Sequence, residues 1–451
     1  MTHDEPSTSS TVTPFGREMR RAHFNFAPSY TPLNHGSFGA FPSRVRDYQQ
    51  ELQRKTEARP DTFIRFSYPR LLREARDSVA PLLGAETDEV VFVPNALTAF
   101  NTILRNLSYK DGDVILYFST IYDACLKTIQ SLEETTAVKS YCMQLTYPVE
   151  DAEIVAAFRA AVLAIRQQGR TVKLAVFDTV LTFPGVRFPW EALVSACKEY
   201  SITSCIDGAH GIGHIDLRHL SQVEPDFFFS NCYKWLMVPR GCAVLYVPYR
   251  NQSWIKTTLP TAEGYLPGAQ REVVPGTRYF VHLFEKVSTV DTTPYICVIE
   301  ALRFRRDVCG GEEHARSYCQ TVARGGGELM AAIMGTQVLE NSTGTLGECC
   351  FTNVRLPLEI EPIGAPIEDR WEHKHKPAGK RIPAGEAHAI ADWITKTSVD
   401  EFDTFIATRF YAGAFWIRIS GQVYLERADF EWAAHVLLEL CSRVKGEQEK
   451  A

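Results

Sequence analysis

The chain has 451 residues and carries 48 Lys and Arg against 54 Asp and Glu, a formal net charge of −6. This length allows two or three domains, or one large α/β domain with a smaller one attached, and the acidic balance excludes a protein built to neutralise a nucleic-acid backbone. The polar opening MTHDEPSTSSTVTPFG lacks a basic n-region and an apolar h-region, and no apolar run reaches the roughly eighteen residues of a membrane span, so a soluble, cytoplasmic protein without a membrane partner is expected.

In chain order, the Ser/Thr-rich residues 1–30 predict a mobile arm, with order beginning near Asn34, where NHGSFGAFP supplies turn residues before the helical run SRVRDYQQELQRKTEA. Residues 68–85 predict a second amphipathic helix. From about 89 the pattern changes to short apolar strands alternating with helical segments: EVVFVPN, DVILYFS, KSYCMQL, KLAVFDTV, ITSCIDGA, PDFFFSN and CAVLYV. Near-continuous apolar strands separated by helices predict an α/β fold with a mostly parallel sheet covered on both faces. After about 290 this rhythm stops at a long helix, PYICVIEALRFRRDV. The expected division is therefore a large domain over 31–290 and a smaller α+β domain over 291–451, with the Pro-, Gly- and charge-rich stretch 359–385 as a surface excursion. The 12 cysteines are sparse and mostly in apolar stretches, which favours buried reduced thiols over a disulfide framework.

Ligands of open α/β sheets bind at the carboxyl ends of the strands, and the residues there are chemically unusual. After EVVFVPN a helix begins at Asn95, and the first-turn N–H groups of Ala96, Leu97 and Thr98 suit either a phosphate or an ordinary side-chain cap. The strand ITSCI ends in Asp207, followed by GAHGIGH; this acid suits a protonated ring nitrogen, or merely an Asx turn. After PDFFFSN comes Lys234, between Tyr233 and Trp235, where desolvation lowers an ammonium pKa as a Schiff-base lysine requires; a snorkelling lysine is the alternative. The three features fall in order at successive strand ends, which favours joint use. His373 and His375 have metal-ligand spacing but no third ligand nearby, so no metal is expected. Gly325-Gly326-Gly327 does not follow a strand and is not a dinucleotide fingerprint.

The runs DGAHGIG, SNCYKWL and PRGCAVLYV resemble the core signature of class V pyridoxal 5'-phosphate (PLP) enzymes, the group that contains cysteine desulfurases and isopenicillin N epimerase. LNHGSFGAFP, EARPDTFIRF, FVPNALTAFNTILRN, STIYDACLKTI, PGVRFPWE, STVDTTP and FWIRISGQVYLE are similar, in order, to the fungal hercynylcysteine sulfoxide lyases of ergothioneine biosynthesis. The resemblance implies a fold-type-I enzyme with PLP as cofactor and a small-molecule amino acid as substrate, working as a homodimer. It implies that Lys234 forms the Schiff base and moves protons, that Asp207 pairs with the pyridine nitrogen, and that His210 approaches the phenolic oxygen. Ala96, Leu97 and Thr98 would hold the phosphate, and Thr182 would stand near the ring. Ser288 and Thr289 would reach the phosphate of the second copy. Tyr122 would stack on the ring or act as the acid for a sulfur leaving group. Arg418, in FWIRIS, would grip the substrate carboxylate, and Asn34 and His35 would line the entrance.

Four places depart from the family pattern: Tyr233 for a histidine, Ser288-Thr289 for Gly-Thr, Leu181-Thr182 for a Ser-Ser pair, and Tyr411-Ala412-Gly413-Ala414, where basic residues are usual. The leading expectation is a carbon–sulfur lyase that cleaves a hercynylcysteine sulfoxide-like cysteine conjugate through a Cα carbanion. The alternative keeps that carbanion for cyclisation, epimerisation or transamination in fungal specialised metabolism of the loline-alkaloid type.

Overall fold

The computed structural model describes residues 13–271, 276–361 and 382–446. Seven strands form the central sheet: β1 (Val90–Val93), β2 (Asp113–Phe118), β3 (Lys139–Met143), β4 (Thr171–Asp178), β5 (Thr203–Asp207), β6 (Phe227–Asn231) and β7 (Ala243–Tyr246). Their order is β1-β7-β6-β5-β4-β2-β3. The pairs β2–β3, β2–β4, β4–β5 and β5–β6 are parallel, and β7 runs antiparallel to both of its neighbours. The apolar runs in the sequence have this cause: every residue of β1, β2, β6 and β7 is buried. Alternate residues serve opposite faces, with Val90, Phe92, Val114 and Leu116 in one core and Val91, Val93, Ile115 and Tyr117 in the other. Only the edge strand β3 alternates exposed and half-buried positions along most of its length.

A second, antiparallel sheet is built from β8 (Phe351–Arg355), β9 (Ala407–Tyr411) and β10 (Ala414–Ser420), with β10 in the centre. It packs against the helix Glu312–Met334, which in turn packs on Arg427–Lys445. Gly326 and Gly327 lie inside the first of these helices, where a Cβ would stand 2.2 Å from Phe430 and 2.0 Å from Thr352 respectively. The glycines therefore allow close helix–helix and helix–sheet packing.

One expectation is corrected here. Residues 17–30, assigned above to a mobile arm, are docked on the carboxyl-terminal part. Met19 is fully buried, Gly16 N–H donates to the Val423 carbonyl at 2.8 Å, and Arg20 pairs with Asp429 at 2.5 Å. The Ser/Thr-rich composition belongs to residues 1–12, which lie outside the described residues. So do 362–381, with His373 and His375.

The segment after Leu33 joins the sheets. Ser420 N–H donates to the Leu33 carbonyl at 2.9 Å, and Gly36 N–H donates to the Ser420 hydroxyl at 3.0 Å. Gly39 then adopts φ 67° and ψ 168°, a region essentially closed to side chains, and a Cβ there would sit 1.8 Å from the Tyr233 carbonyl oxygen. Gly39→Ala should lower unfolding stability by about 3 kcal/mol or more, because the backbone carrying Lys234 must move. Gly169, also at positive φ but with nothing within 4 Å of its Cβ position, is the control: its alanine variant should lose about 1 kcal/mol in the same denaturant titration.

Candidate active site

The carboxyl ends of β1, β2, β4, β5 and β6 and one face of β9 and β10 enclose a cavity of about 550 Å³. Its wall includes Asn34, Tyr122, Thr182, Asp207, His210 and Lys234, with Arg418 opposite. This volume suits a cofactor with a small substrate. Lys234 leaves the single helical turn Cys232–Trp235 that follows β6, and its Nζ lies 3.1 Å from His210 Nε2. Burial lowers its pKa from 10.5 to about 8; the Asp207 charge opposes the shift and the Arg418 charge adds to it.

Three buried histidines surround this lysine, each with its ring fixed by partners on both nitrogens. His210 Nδ1 accepts from the Trp235 indole N–H at 3.2 Å, which leaves Nε2–H to face Lys234 and the Thr182 hydroxyl, 3.3 Å away. His214 donates from Nδ1 to the His210 carbonyl at 2.8 Å and accepts the Cys350 N–H at Nε2, 2.7 Å away, while its ring stacks on Trp235 at 3.9 Å. His35 donates from Nε2 to the Lys234 carbonyl and accepts the Tyr424 hydroxyl at Nδ1, 2.6 Å away. Burial is the largest cause holding all three below the usual imidazole value, His35 at about 4 and His214 at about 3, so each is neutral at physiological pH. His35 is thus misplaced by the sequence reading. It is buried beneath Lys234, clear of the cavity wall, and Asn34 alone of that pair faces the cavity.

Asp207 ends β5 in register beside Asp178 of β4. Its Oδ1 accepts the Ala209 N–H at 2.8 Å and its Oδ2 the Cys125 thiol at 3.6 Å. Burial first, and then the Asp207 charge, push the Asp178 carboxyl well up, so Asp178 is the member of the pair that keeps its proton. Cys125 is likewise held as a thiol by burial and by Asp207. Arg418 is buried with no carboxylate within ion-pair distance among the described residues. Its Nη1 donates to the Thr182 carbonyl at 2.5 Å, its Nη2 donates to Asn34 Oδ1 at 2.8 Å, and its plane lies over the Phe351 ring. The Arg418 Nε–H is buried without an acceptor. A buried, permanently charged group with a free donor calls for an anion.

The helix start Ala96–Asn106 is more occupied than expected. Ala96 N–H donates to Asn231 Oδ1 at 2.9 Å and Thr98 N–H to Asn95 Oδ1 at 2.8 Å, which leaves the Leu97 N–H without a protein acceptor among the described residues. Tyr122, at the start of the helix Asp123–Thr135, is half exposed at the cavity. Ser288 and Thr289 are exposed and stand apart from the cavity wall of their own chain. Sequence reasoning passed over Cys125, Asn231 and Asp178, and used Trp235 only as an aromatic neighbour of Lys234. Asn231 and Asp178 were visible as polar residues closing apolar strands; Trp235 and Cys125 gave no signal beyond their neighbours. In the ¹⁵N-histidine-labelled chain, Trp235→Phe should turn the single Nε2–H tautomer of His210 into a mixture while His35 and His214 keep theirs. An unchanged His210 signal would show that the indole does not set the ring.

Comparison with known proteins agrees with this arrangement. Residues 52–263 match the family model described as Aminotransferase class-V. The chain is 36% identical over 460 residues to the L-cysteine desulfhydrase-like protein lolT1 of Epichloe uncinata, covering 97% of this chain and 98% of the relative. It is 29% identical over 430 residues to the hercynylcysteine sulfoxide lyase of Schizosaccharomyces pombe, covering 95% and 98%. Among solved structures, a cystine C-S lyase, C-DES, in complex with its product cysteine persulfide superposes with a TM-score of 0.68 at 16% identity, covering 92% of this chain and 98% of that one, a likeness of fold. No helix among the described residues is long and apolar enough to cross a membrane. A buried lysine whose ammonium is disfavoured by desolvation, an acid and a neutral histidine at the neighbouring strand end, and an arginine with an unused buried donor fit pyridoxal phosphate and an amino acid, and this chain belongs to the class-V aminotransferase family of PLP enzymes.

Proposed function

We propose that this enzyme is a carbon–sulfur lyase acting on a cysteine S-conjugate, with a hercynylcysteine sulfoxide-like compound as the candidate substrate. The observation that carries the reading is the half-exposed Tyr122 at the same cavity wall as Lys234, so that an acid and a base are available to one bound amino acid. The lyase and desulfhydrase names of the full-length relatives support the reaction class.

PLP, when bound, supplies the electron sink that lets a Cα proton leave. Lys234 would hold the cofactor through Nζ and, as the free amine, would accept that proton; burial lowers its pKa in the direction this requires. Asp207, positioned by the Ala209 N–H and the Cys125 thiol, pairs with the ring nitrogen. His210 offers Nε2–H to the phenolic oxygen beside Thr182, an orientation set by Trp235. The first turn Ala96-Leu97-Thr98 faces the phosphate, its Leu97 N–H available to it, with Ser288 and Thr289 of a second copy completing the cradle in a homodimer. Arg418, oriented by Asn34, takes the substrate α-carboxylate, and Tyr122 protonates the departing sulfur.

Purified, PLP-loaded protein incubated with a cysteine S-conjugate sulfoxide of a histidine betaine should release pyruvate and ammonia. Cα hydrogen exchange with solvent and no pyruvate would replace elimination with epimerisation or cyclisation. Lys234→Ala should abolish the covalently bound cofactor's absorbance band, and persistence of the band would remove Lys234 from this role. Because the amine loses its proton near pH 8, covalent cofactor uptake by the cofactor-free chain should rise about tenfold per pH unit below that value and level off above it, as followed by stopped-flow absorbance. A rise that continues towards pH 10 would mean that burial does not depress Lys234.

A further inference from the structure

The lining of the active cavity contains three basic side chains, Lys234, Arg409 and Arg418, against one acidic side chain, Asp207. The proposed function uses Lys234 and Asp207 on the cofactor and Arg418 on the α-carboxylate, so the charge of Arg409 is left over.

Arg409 lies on β9 opposite Trp416 of β10, and Arg418 lies opposite Ala407. Residues directly across an antiparallel pair, and those two apart along a strand, share one face, so Arg409 and Arg418 are diagonal neighbours on the cavity face, about 7–8 Å apart at the backbone. Burial first, and the Arg409 charge second, hold the Arg418 guanidinium down to about 10, so the two cations feel each other along that face. Arg409 is weakly engaged. Asp392, itself 77% exposed, is 3.6 Å away, and the Thr408 carbonyl accepts from Nη1 at 3.1 Å. An exposed pair at that distance releases its guanidinium readily to a better anion. Phe38, Tyr122, Phe183 and Phe405 line the same cavity and offer apolar surface to the rest of a substrate.

We propose that Arg409 forms a second anion subsite, so that the preferred substrate is an amino acid whose sulfur substituent carries a carboxylate at the far end of an apolar spacer. The reading rests on the lyase assignment for its chemistry and on Arg409 alone for its selectivity. A monocarboxylate leaves Arg409 to water and its exposed Asp392 partner; a substrate with two carboxylates engages both arginines.

The test compares S-carboxyethyl-L-cysteine with its isosteric amide, S-carbamoylethyl-L-cysteine, on the PLP-loaded full chain. Dissociation constants are read from the change in cofactor absorbance on titration, and turnover from pyruvate. The carboxylate should bind about tenfold to a hundredfold more tightly than the amide, the range of a charge-assisted hydrogen bond. Arg409→Gln should reduce this preference to less than about threefold, and Arg409→Lys should retain most of it. Selective binding without pyruvate from either compound would sustain the subsite and leave the lyase reading to the sulfoxide assay above. Equal binding of the two compounds by the unaltered protein, binding of neither, or a preference that survives Arg409→Gln would overturn the subsite, whatever the pyruvate assay gives.

Discussion

Taking the Lys234 amine out of water is the constraint around which the site is organised. Desolvation disfavours its charged form, and its neighbours do not reverse this: the nearest polar atom, His210 Nε2, presents a hydrogen, which suits a neutral amine and opposes an ammonium. That orientation depends on the Trp235 indole, which is held in turn by its stack on His214 and by the Arg305 donation to its carbonyl at 3.1 Å. From below, His35 holds the Lys234 carbonyl, and Gly39 lets another backbone approach the same turn as closely as the atoms allow. One reactive side chain thus draws on elements from both ends of the sequence.

The remaining charges follow from sheet geometry. Parallel pairing places Asp178 and Asp207 side by side, and two buried carboxylates at that spacing cannot both be ionised cheaply, so one keeps its proton and the other carries the charge. On the opposite wall, β10 buries Arg418 over the Phe351 ring with no carboxylate in ion-pair distance among the described residues and its Nε–H unused. A buried cation without an acid partner lowers stability in the empty protein and favours an anionic ligand in the loaded one. The same arginine therefore explains both a cost to the fold and an affinity of the site.

Much of this was legible in the sequence. Short runs rich in apolar residues gave all seven strands of the large sheet, most of them because strands buried on both faces need no polar alternation; strand-end positions drew attention to Lys234 and Asp207, and the family resemblance to His210, all three of which line one cavity. What stayed hidden depends on contacts distant in sequence. His35 stands 199 residues from the carbonyl it holds, and nothing in NHGSFGAFP distinguishes a ring pointing inward from one lining an entrance. The capping of Ala96 by Asn231 spans 135 residues and, together with the local cap of Thr98 by Asn95, leaves Leu97 alone of the three amides without an acceptor among the described residues. The docking of residues 17–30 was obscured by the polar composition of the residues before them, although Met19 lies in the core.

That docking has a consequence for the order of events on the ribosome. The partners of Gly16 and Arg20 are Val423, Tyr424 and Asp429, and the two Arg20 contacts span 404 and 409 residues. Met19 must wait uncovered until residues 423–429 have been made, whereas the last strand of the central sheet is made by residue 246. Segments more than 400 residues apart therefore close together, and a nascent chain that stalls before residue 423 leaves the apolar face of the helix Arg17–His23 exposed.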